Sequence, residues 1–371
     1  MSDAALRALS DLLIPLFAIF RYLVPKNNNE DYPMNPALPT TDDTPIWDAM
    51  LSLYNSPAIA LGLELAIFDA LDTPADAEAL ANKTGYNLRG LKALLAMLKS
   101  LGLLDRHEGR YQLNPVSSTY LVKDSAFYWG PFFSWTSQFL PNYKIFLENI
   151  RDGQTVEERE AADSWESGEM DPAFARTITD YMHCHSIASA VGLSHNCDFS
   201  GVKKLMDIGG GSGCYASALA NQNPELRCTI MELGPVCKVA EDYIAKAGVS
   251  DRVDTKTVDM FRQAWPTGYD AHFFANVFHD WSLETCQELT DKSFAALAPG
   301  GRICLQEMLL DESGDAPHPA VAFSFLMTWG TKGQQFTFSQ LKDILAKGGF
   351  INVHAQRSYG YYSLVTGSKP N

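Results

Sequence analysis

Between Trp47 and Asp72 the stretch "WDAMLSLYNSPAIALGLELAIFDALD" places apolar residues every three or four positions, which predicts helix over several turns. The next run, "PADAEALANKTGYNLRGLKALLAMLKSLGLLDRHEGRYQLNP", predicts a helix, a turn at "TGYN", and a second helix ending at Gly102. A short hairpin follows, turning at "HEG" and returning along "RYQLN". That order is the outline of a winged helix-turn-helix. Upstream, "LLIPLFAIF" (12–20) is apolar but spans less than half a bilayer core, and Arg7, Asp11 and Arg21 flank it. It reads as an amphipathic helix against a partner subunit, with interfacial membrane contact as the other reading and no stable insertion. The stretch after it, "PKNNNEDYPMNPALPTTDDTP", has the composition of a loop.

From Lys203 the period changes. "KKLMDIGGGSG" is a short apolar strand entering a glycine turn, and "CYASALANQNP" continues as helix. Three further strands are expected in "RCTIMEL", "DRVDTKTVDMF" and "YDAHFFANVFHDW", and a fifth, "RICLQEMLLDE", follows the helix "TCQELTDKSFAALAPGG". Alternating strands and helices predict an α/β doubly wound sheet with its ligand over the carboxyl ends of the strands. Glu232, Asp259, Met260, Phe261, His279 and Glu307 are all expected at that edge. The glycines at 209, 210, 211 and 213 lack the third helix-packing glycine of a dinucleotide fingerprint, since position 214 is Cys. Gly209 and Gly211 let a ligand approach the backbone. Glu232, 19 residues beyond Gly213, is placed to accept from two ribose hydroxyls.

A length of 371 residues suggests more than one domain, and 46% hydrophobic with 20% charged residues is ordinary for a globular enzyme. The expected division is an arm and linker (1–45), a winged-helix-like dimerisation domain (46–122), a helical connector (123–198) and a Rossmann-like domain (199–371). A net charge of −15, with only Arg89, Lys92 and Lys99 on the second winged-domain helix, argues against a nucleic-acid partner. Seven cysteines with no CxxC pair suggest free thiols in a reducing cytoplasm. The aromatics of 125–150 and of "FSFLMTWG" (323–330) divide between core and the lining of an apolar acceptor chamber. "HCH" at 183–185 is too tight for one metal, because adjacent helix positions face different ways, and no metal is expected.

"LMDIGGGSG", "MEL", "VDMF", "FHDW" and "LAPGGRICLQEMLLDE" together resemble the successive motifs of class I S-adenosylmethionine-dependent O-methyltransferases. The resemblance is closest to the metal-independent small-molecule branch that includes caffeate and hydroxyindole O-methyltransferases, and covers roughly residues 45–370. It implies a seven-stranded Rossmann-like methyltransferase domain, an N-terminal helical winged-helix dimerisation domain, a homodimer, and S-adenosylmethionine as cofactor. It also implies residue roles. Gly209 and Gly211 would approach the methionyl part, with Asp207 supporting their turn. Glu232 would hold the ribose, and Asp259, Met260 and Phe261 would frame the adenine. Met182 would lie near the reactive centre, Ser186 near the amino-acid end, and Tyr143 near the methyl donor. His279 matches a general base, with Asp280 in the same motif, and Glu307 an acid that orients it.

A sulfonium methyl is already activated, so such an enzyme aligns a nucleophile and removes a proton, a task suited to an imidazole whose tautomer a carboxylate fixes. Two positions depart from the branch. Gln335 stands where a second acid aligns, and Ala275 where the family has a lysine. The reading is methyl transfer to a hydroxyl of a small aromatic or apolar metabolite. Its alternatives are S-methylation of a thioether acid, or a cyclisation or pericyclic reaction using the same cofactor. A third is a regulator acting through the winged helix.

Overall fold

The computed structural model describes residues 37–125, 128–137, 140, 143–154 and 170–371. The apolar run at 12–20, with Phe127 and Phe139, lies outside the described residues. The stretch expected to be helical from Trp47 is helical in pieces: α1 (Thr44–Leu51), a 3₁₀ turn to Tyr54, α2 (Asn55–Glu64) and α3 (Ile67–Ala70). Ala66, with φ 52°, turns the chain between α2 and α3, while Leu61, Leu65, Ile67 and Phe68 all stay buried. Asp76 caps α4 (Ala77–Thr84), and Asn87 caps α5 (Leu88–Ser100) by accepting from the Arg89 and Gly90 amides. Strands β1 (Leu104–His107) and β2 (Arg110–Leu113) form the antiparallel wing. Both residues of its turn, Glu108 and Gly109, have positive φ, as tight hairpins require. Three short helices follow: α6 (Pro115–Tyr120), α7 (Gly130–Thr136) and α8 (Tyr143–Asp152).

The 25-residue helix α9 (Pro172–Asn196) leads into the sheet. Its strands are β3 (Lys204–Ile208), β4 (Arg227–Glu232), β5 (Val253–Thr257), β6 (Ala271–Ala275), β7 (Arg302–Met308), β8 (Ile351–Tyr359) and β9 (Tyr362–Ser368). Between and around them lie α10 (Cys214–Gln222), α11 (Gly234–Ala247), α12 (Leu283–Ala296), α13 (His318–Gly330) and α14 (Phe338–Lys347). The seven strands run in the order β5-β4-β3-β6-β7-β9-β8, and β9 is antiparallel to both neighbours. This is the expected Rossmann-like sheet behind a helical winged domain. Alternate residues feed two cores: Leu205, Phe273 and Cys304 on one face, Met206, Phe274 and Ile303 on the other. Burial on both faces accounts for the apolar centres of β3, β6 and β7. Strand order reverses between β3 and β6, which opens a crevice at their carboxyl ends. A third core joins the winged domain to α13, Met308 and Tyr362, so one apolar cluster spans both halves.

Three strand ends differ from the sequence reading. The third strand stops at Thr257, and Asp259–Phe261 form a turn because the Asp259 side chain accepts from the Phe261 and Arg262 amides. The fourth stops at Ala275, because Asn276 adopts φ 54° and Phe278–Asp280 then close a 3₁₀ turn. Glu307 lies inside β7 rather than at its tip. Among the described residues, no helix is long and apolar enough to cross a membrane.

Candidate functional site

The glycine turn after β3 forms one wall of the crevice. Gly209, Gly211 and Gly213 all have positive φ. A Cβ on Gly211 would meet no protein atom within 4 Å, so that residue presents bare backbone to open space. On Gly209, a Cβ would sit 3.0 Å from Val277 Cγ2, which places this turn against the segment carrying His279. Beneath it, Asp207 is fully buried and neither carboxylate oxygen has a hydrogen-bond partner. Burial, with the Glu232 charge added, pushes its pKa up to about 7. Glu232 ends β4 facing the turn and accepts from the Gly211 amide at 3.3 Å and the Leu233 amide at 2.8 Å. Burial outweighs those two bonds and raises it to about 7 as well. Two buried carboxylates short of donors make an unfavourable cleft until hydroxyl or ammonium donors arrive.

The Asp259 carboxylate is committed to its own turn and to Arg262 Nη1 at 2.7 Å. That turn presents Met260 and Phe261, whose ring meets Trp281 edge-on at 4.7 Å.

His279 is buried on its 3₁₀ turn, with its Nδ1 atom 3.0 Å from Glu307 Oε2 and 3.1 Å from Gln335 Nε2. Glu307 Oε1 accepts the Val277 and Phe278 amides, which locks the carboxylate beneath the ring. Neither Glu307 Oε2 nor Gln335 Oε1 has another hydrogen-bond partner. In the basic form of the ring, a proton on Nδ1 serves both, with the amide turned oxygen-inward, and leaves Nε2 its lone pair. Asp280 Oδ1 lies 3.6 Å from Nε2. Burial disfavours the imidazolium, but the Glu307 and Asp280 charges outweigh it and raise His279 to about 9.

On α9, His183 Nδ1 bonds Ser212 Oγ of the glycine turn at 2.8 Å, tying this helix to the crevice. Ser186 is buried on the same helix and Met182 is 39% exposed. Met182 Sδ lies 3.3 Å from His185 Nε2, and a chain of rings runs on from there. His185 meets Trp47 at 5.6 Å, Trp47 meets Phe323 at 5.7 Å, and Phe323 meets His279 edge-on at 5.2 Å. Burial, reinforced by the His279 charge, pushes His185 down to about 4, so it stands neutral in this aromatic wall. Tyr143 is buried in the core that the winged domain shares with α13. Its hydroxyl donates to Glu64 Oε2 at 2.5 Å, within the winged domain's core. Phe146 likewise packs flat on Phe325 at 4.5 Å, while Trp129 and Phe132 are exposed. Sequence reading met Arg89 only as a basic residue of the second helix and His185 only within "HCH", and it did not single out Trp47; the contacts that matter for all three reach across the chain. Gln335 was legible only as a departure.

A family profile described as an O-methyltransferase domain matches residues 146–351, and one described as an O-methyltransferase dimerisation domain matches residues 47–123. The chain is 30% identical over 332 residues to a 3-hydroxy-5-methyl-1-naphthoate 3-O-methyltransferase of Streptomyces sahachiroi, covering 88% of this chain and 95% of that protein. An O-methyltransferase family 2 protein from Planctomyces limnophilus, crystallised with apigenin, shares the fold with a TM-score of 0.79 at 22% identity, over 91% of this chain and 99% of that one. Human N-acetylserotonin methyltransferase in complex with S-adenosylmethionine shares it with a TM-score of 0.57 at 22% identity, over 90% and 100% of the two chains. These matches define an S-adenosylmethionine-dependent methyltransferase. Within that class, the chain belongs to the O-methyltransferase family with an N-terminal dimerisation domain. The crevice fits the cofactor on its own evidence: bare backbone at Gly211, an unpartnered buried carboxylate at Asp207, a second buried carboxylate at Glu232, and an apolar turn at Met260–Phe261.

Proposed function

We propose that the enzyme methylates a hydroxyl of a small aromatic metabolite of secondary metabolism, with His279 as general base. The observation that carries this reading is His279 itself, buried beside the cofactor crevice with Nδ1 held 3.0 Å from Glu307 and its ring edge-on to Phe323 at 5.2 Å. Bound S-adenosylmethionine supplies an electrophilic methyl on a sulfonium. Glu232 would accept from its ribose, Gly209 and Gly211 would admit its methionyl part over Asp207, Met260 and Phe261 would flank its adenine, and Met182 and Ser186 would serve its sulfur and amino-acid end from α9. His279 Nε2 would take the proton of an acceptor hydroxyl aligned with the methyl that the cofactor supplies. Glu307 compensates the resulting imidazolium, and Gln335 adds a hydrogen bond without charge. The hydroxynaphthoate relative supports an aromatic acceptor bearing a carboxylate, and Trp47 and Phe323 give it flat apolar surfaces. The profile match at 47–123 supports a homodimer.

Hydroxynaphthoic acids and other phenols are the first acceptors to screen, with the added methyl located by mass spectrometry. His279→Ala is expected to lower turnover by roughly 10²–10⁴ while cofactor affinity holds. Full turnover in a folded His279→Ala enzyme would end the base assignment.

A further inference from the structure

Arg89 occupies the first turn of α5, where the positive end of the helix dipole disfavours a cation. Its guanidinium reaches across the domain boundary instead. It donates to the carbonyls of Met327 at 3.4 Å, Thr328 at 3.3 Å, Thr331 at 2.9 Å and Gly333 at 2.5 Å. The first two close the carboxyl end of α13, where the dipole favours a cation, and the last two lie in the segment that follows. In a winged helix that reads DNA, the second helix enters the groove; here its first turn faces the catalytic domain.

The segment Arg89 holds is the one that touches the base. A Cβ on Gly333 would fall 1.7 Å from the His279 carbonyl oxygen, and two residues on, the Gln335 amide sits 3.1 Å from His279 Nδ1. The Gln335 backbone N–H donates to Ser324 Oγ on α13 at 3.1 Å. Backbone contact on one side and a guanidinium fork on the other leave residues 331–335 one position to occupy. A lysine, with a single ammonium, could not span four carbonyls.

We infer that Arg89 is a positioning residue for methyl transfer, through which the winged domain sets the imidazole of His279 by way of residues 331–335. The inference rests on His279 being the base. The charged and titratable groups facing His279 are Glu307, Asp280 and the neutral His185. When the segment slackens, water reaches the Nδ1 side and weakens the Glu307 pair.

The test needs no acceptor. In full-length enzyme carrying ¹³C-labelled histidine, the His279 titration is followed by NMR, assigned by its loss in His279→Ala. Arg89→Ala is expected to lower that titration by about one pH unit. Arg89→Lys, which keeps the charge and guards against a folding failure, is expected to shift it part of the way, and added guanidinium to restore Arg89→Ala. In a Gln335→Ala background, removing Arg89 should add little, because the two act through one path. An unchanged titration in both Arg89 variants overturns the inference, whatever His279→Ala does to turnover. A shifted titration alongside a fully active His279→Ala enzyme overturns instead the base reading on which the positioning role depends.

Discussion

Gly333 runs directly against the backbone of His279, so closely that a Cβ there would lie 1.7 Å from the His279 carbonyl oxygen. No rotamer of any side chain can relieve a clash between two backbones. Gly333→Ala must therefore displace the 331–335 segment, the 3₁₀ turn, or both. The expected result is a loss of about 1–3 kcal/mol in stability, as for overpacked cores, with a larger fall in kcat than in cofactor affinity. Thermal unfolding, calorimetry with S-adenosylmethionine and turnover on one acceptor would show the split.

The pH dependence follows from the two carboxylates around His279. Its pKa is raised to about 9, so the cation is favoured in the fold and the basic form appears only as pH rises. The stabilisation it brings is complete below the ordinary value of 6.5 and is lost as pH climbs through about 9. Turnover should accordingly rise on the alkaline side of neutrality. Asp280→Asn removes one of the two charges that lift this pKa, so the acidic limb should move to lower pH. A limb that stays put in that variant counts against His279 as the titrating group.

Asp207 tells the opposite story in the cofactor-free enzyme. Its pKa is raised to about 7, so deprotonation favours the unfolded chain and stability falls as pH rises from about 4 through 7. Asp207→Asn should lift the melting temperature of the cofactor-free protein at pH 8 by roughly 1–3 °C. The gain should vanish near pH 4, where the native residue is also neutral. A fluorescence melt at the two pH values is sufficient.

Glu232→Ala would strip the crevice of its ribose acceptor and leave the Gly211 and Leu233 amides without their partner. The cost in cofactor binding is expected at about 1.5–3 kcal/mol, read by calorimetry. Unchanged affinity would refute the assignment.

Much of the fold was legible in the chain because the strands are buried on both faces. Runs such as "KLMDI" and "AHFFA" are short, apolar and bounded by Gly or Asp, which leaves little else for them to be. The strand ends were harder. Asn276 can adopt a left-handed backbone but does not announce it, so His279 was expected on a strand rather than on the turn that follows. Site residues at or just beyond a strand's end, such as Glu232 and His279, could be brought to the right edge by local reasoning. Arg89, Trp47 and His185 could not, since each matters through a partner more than a hundred positions away: Thr328, Phe323 and Trp47 respectively. The pairing of the Tyr143 hydroxyl with Glu64, 79 positions away, was equally beyond local reasoning.

The ring chain from His185 through Trp47 and Phe323 to His279 draws its members from three separate helical segments and one turn, whereas the glycine turn and Glu232 come from consecutive pieces of sheet. Surfaces that meet the acceptor and surfaces that meet the methyl source are thus inherited through different stretches of chain. On the proposed function, substitutions at Trp47 or Phe323 would retune which molecules are accepted while leaving the donor's crevice intact, whereas His185 also touches Met182 and would move both, so libraries at the first two positions are the place to redirect substrate range.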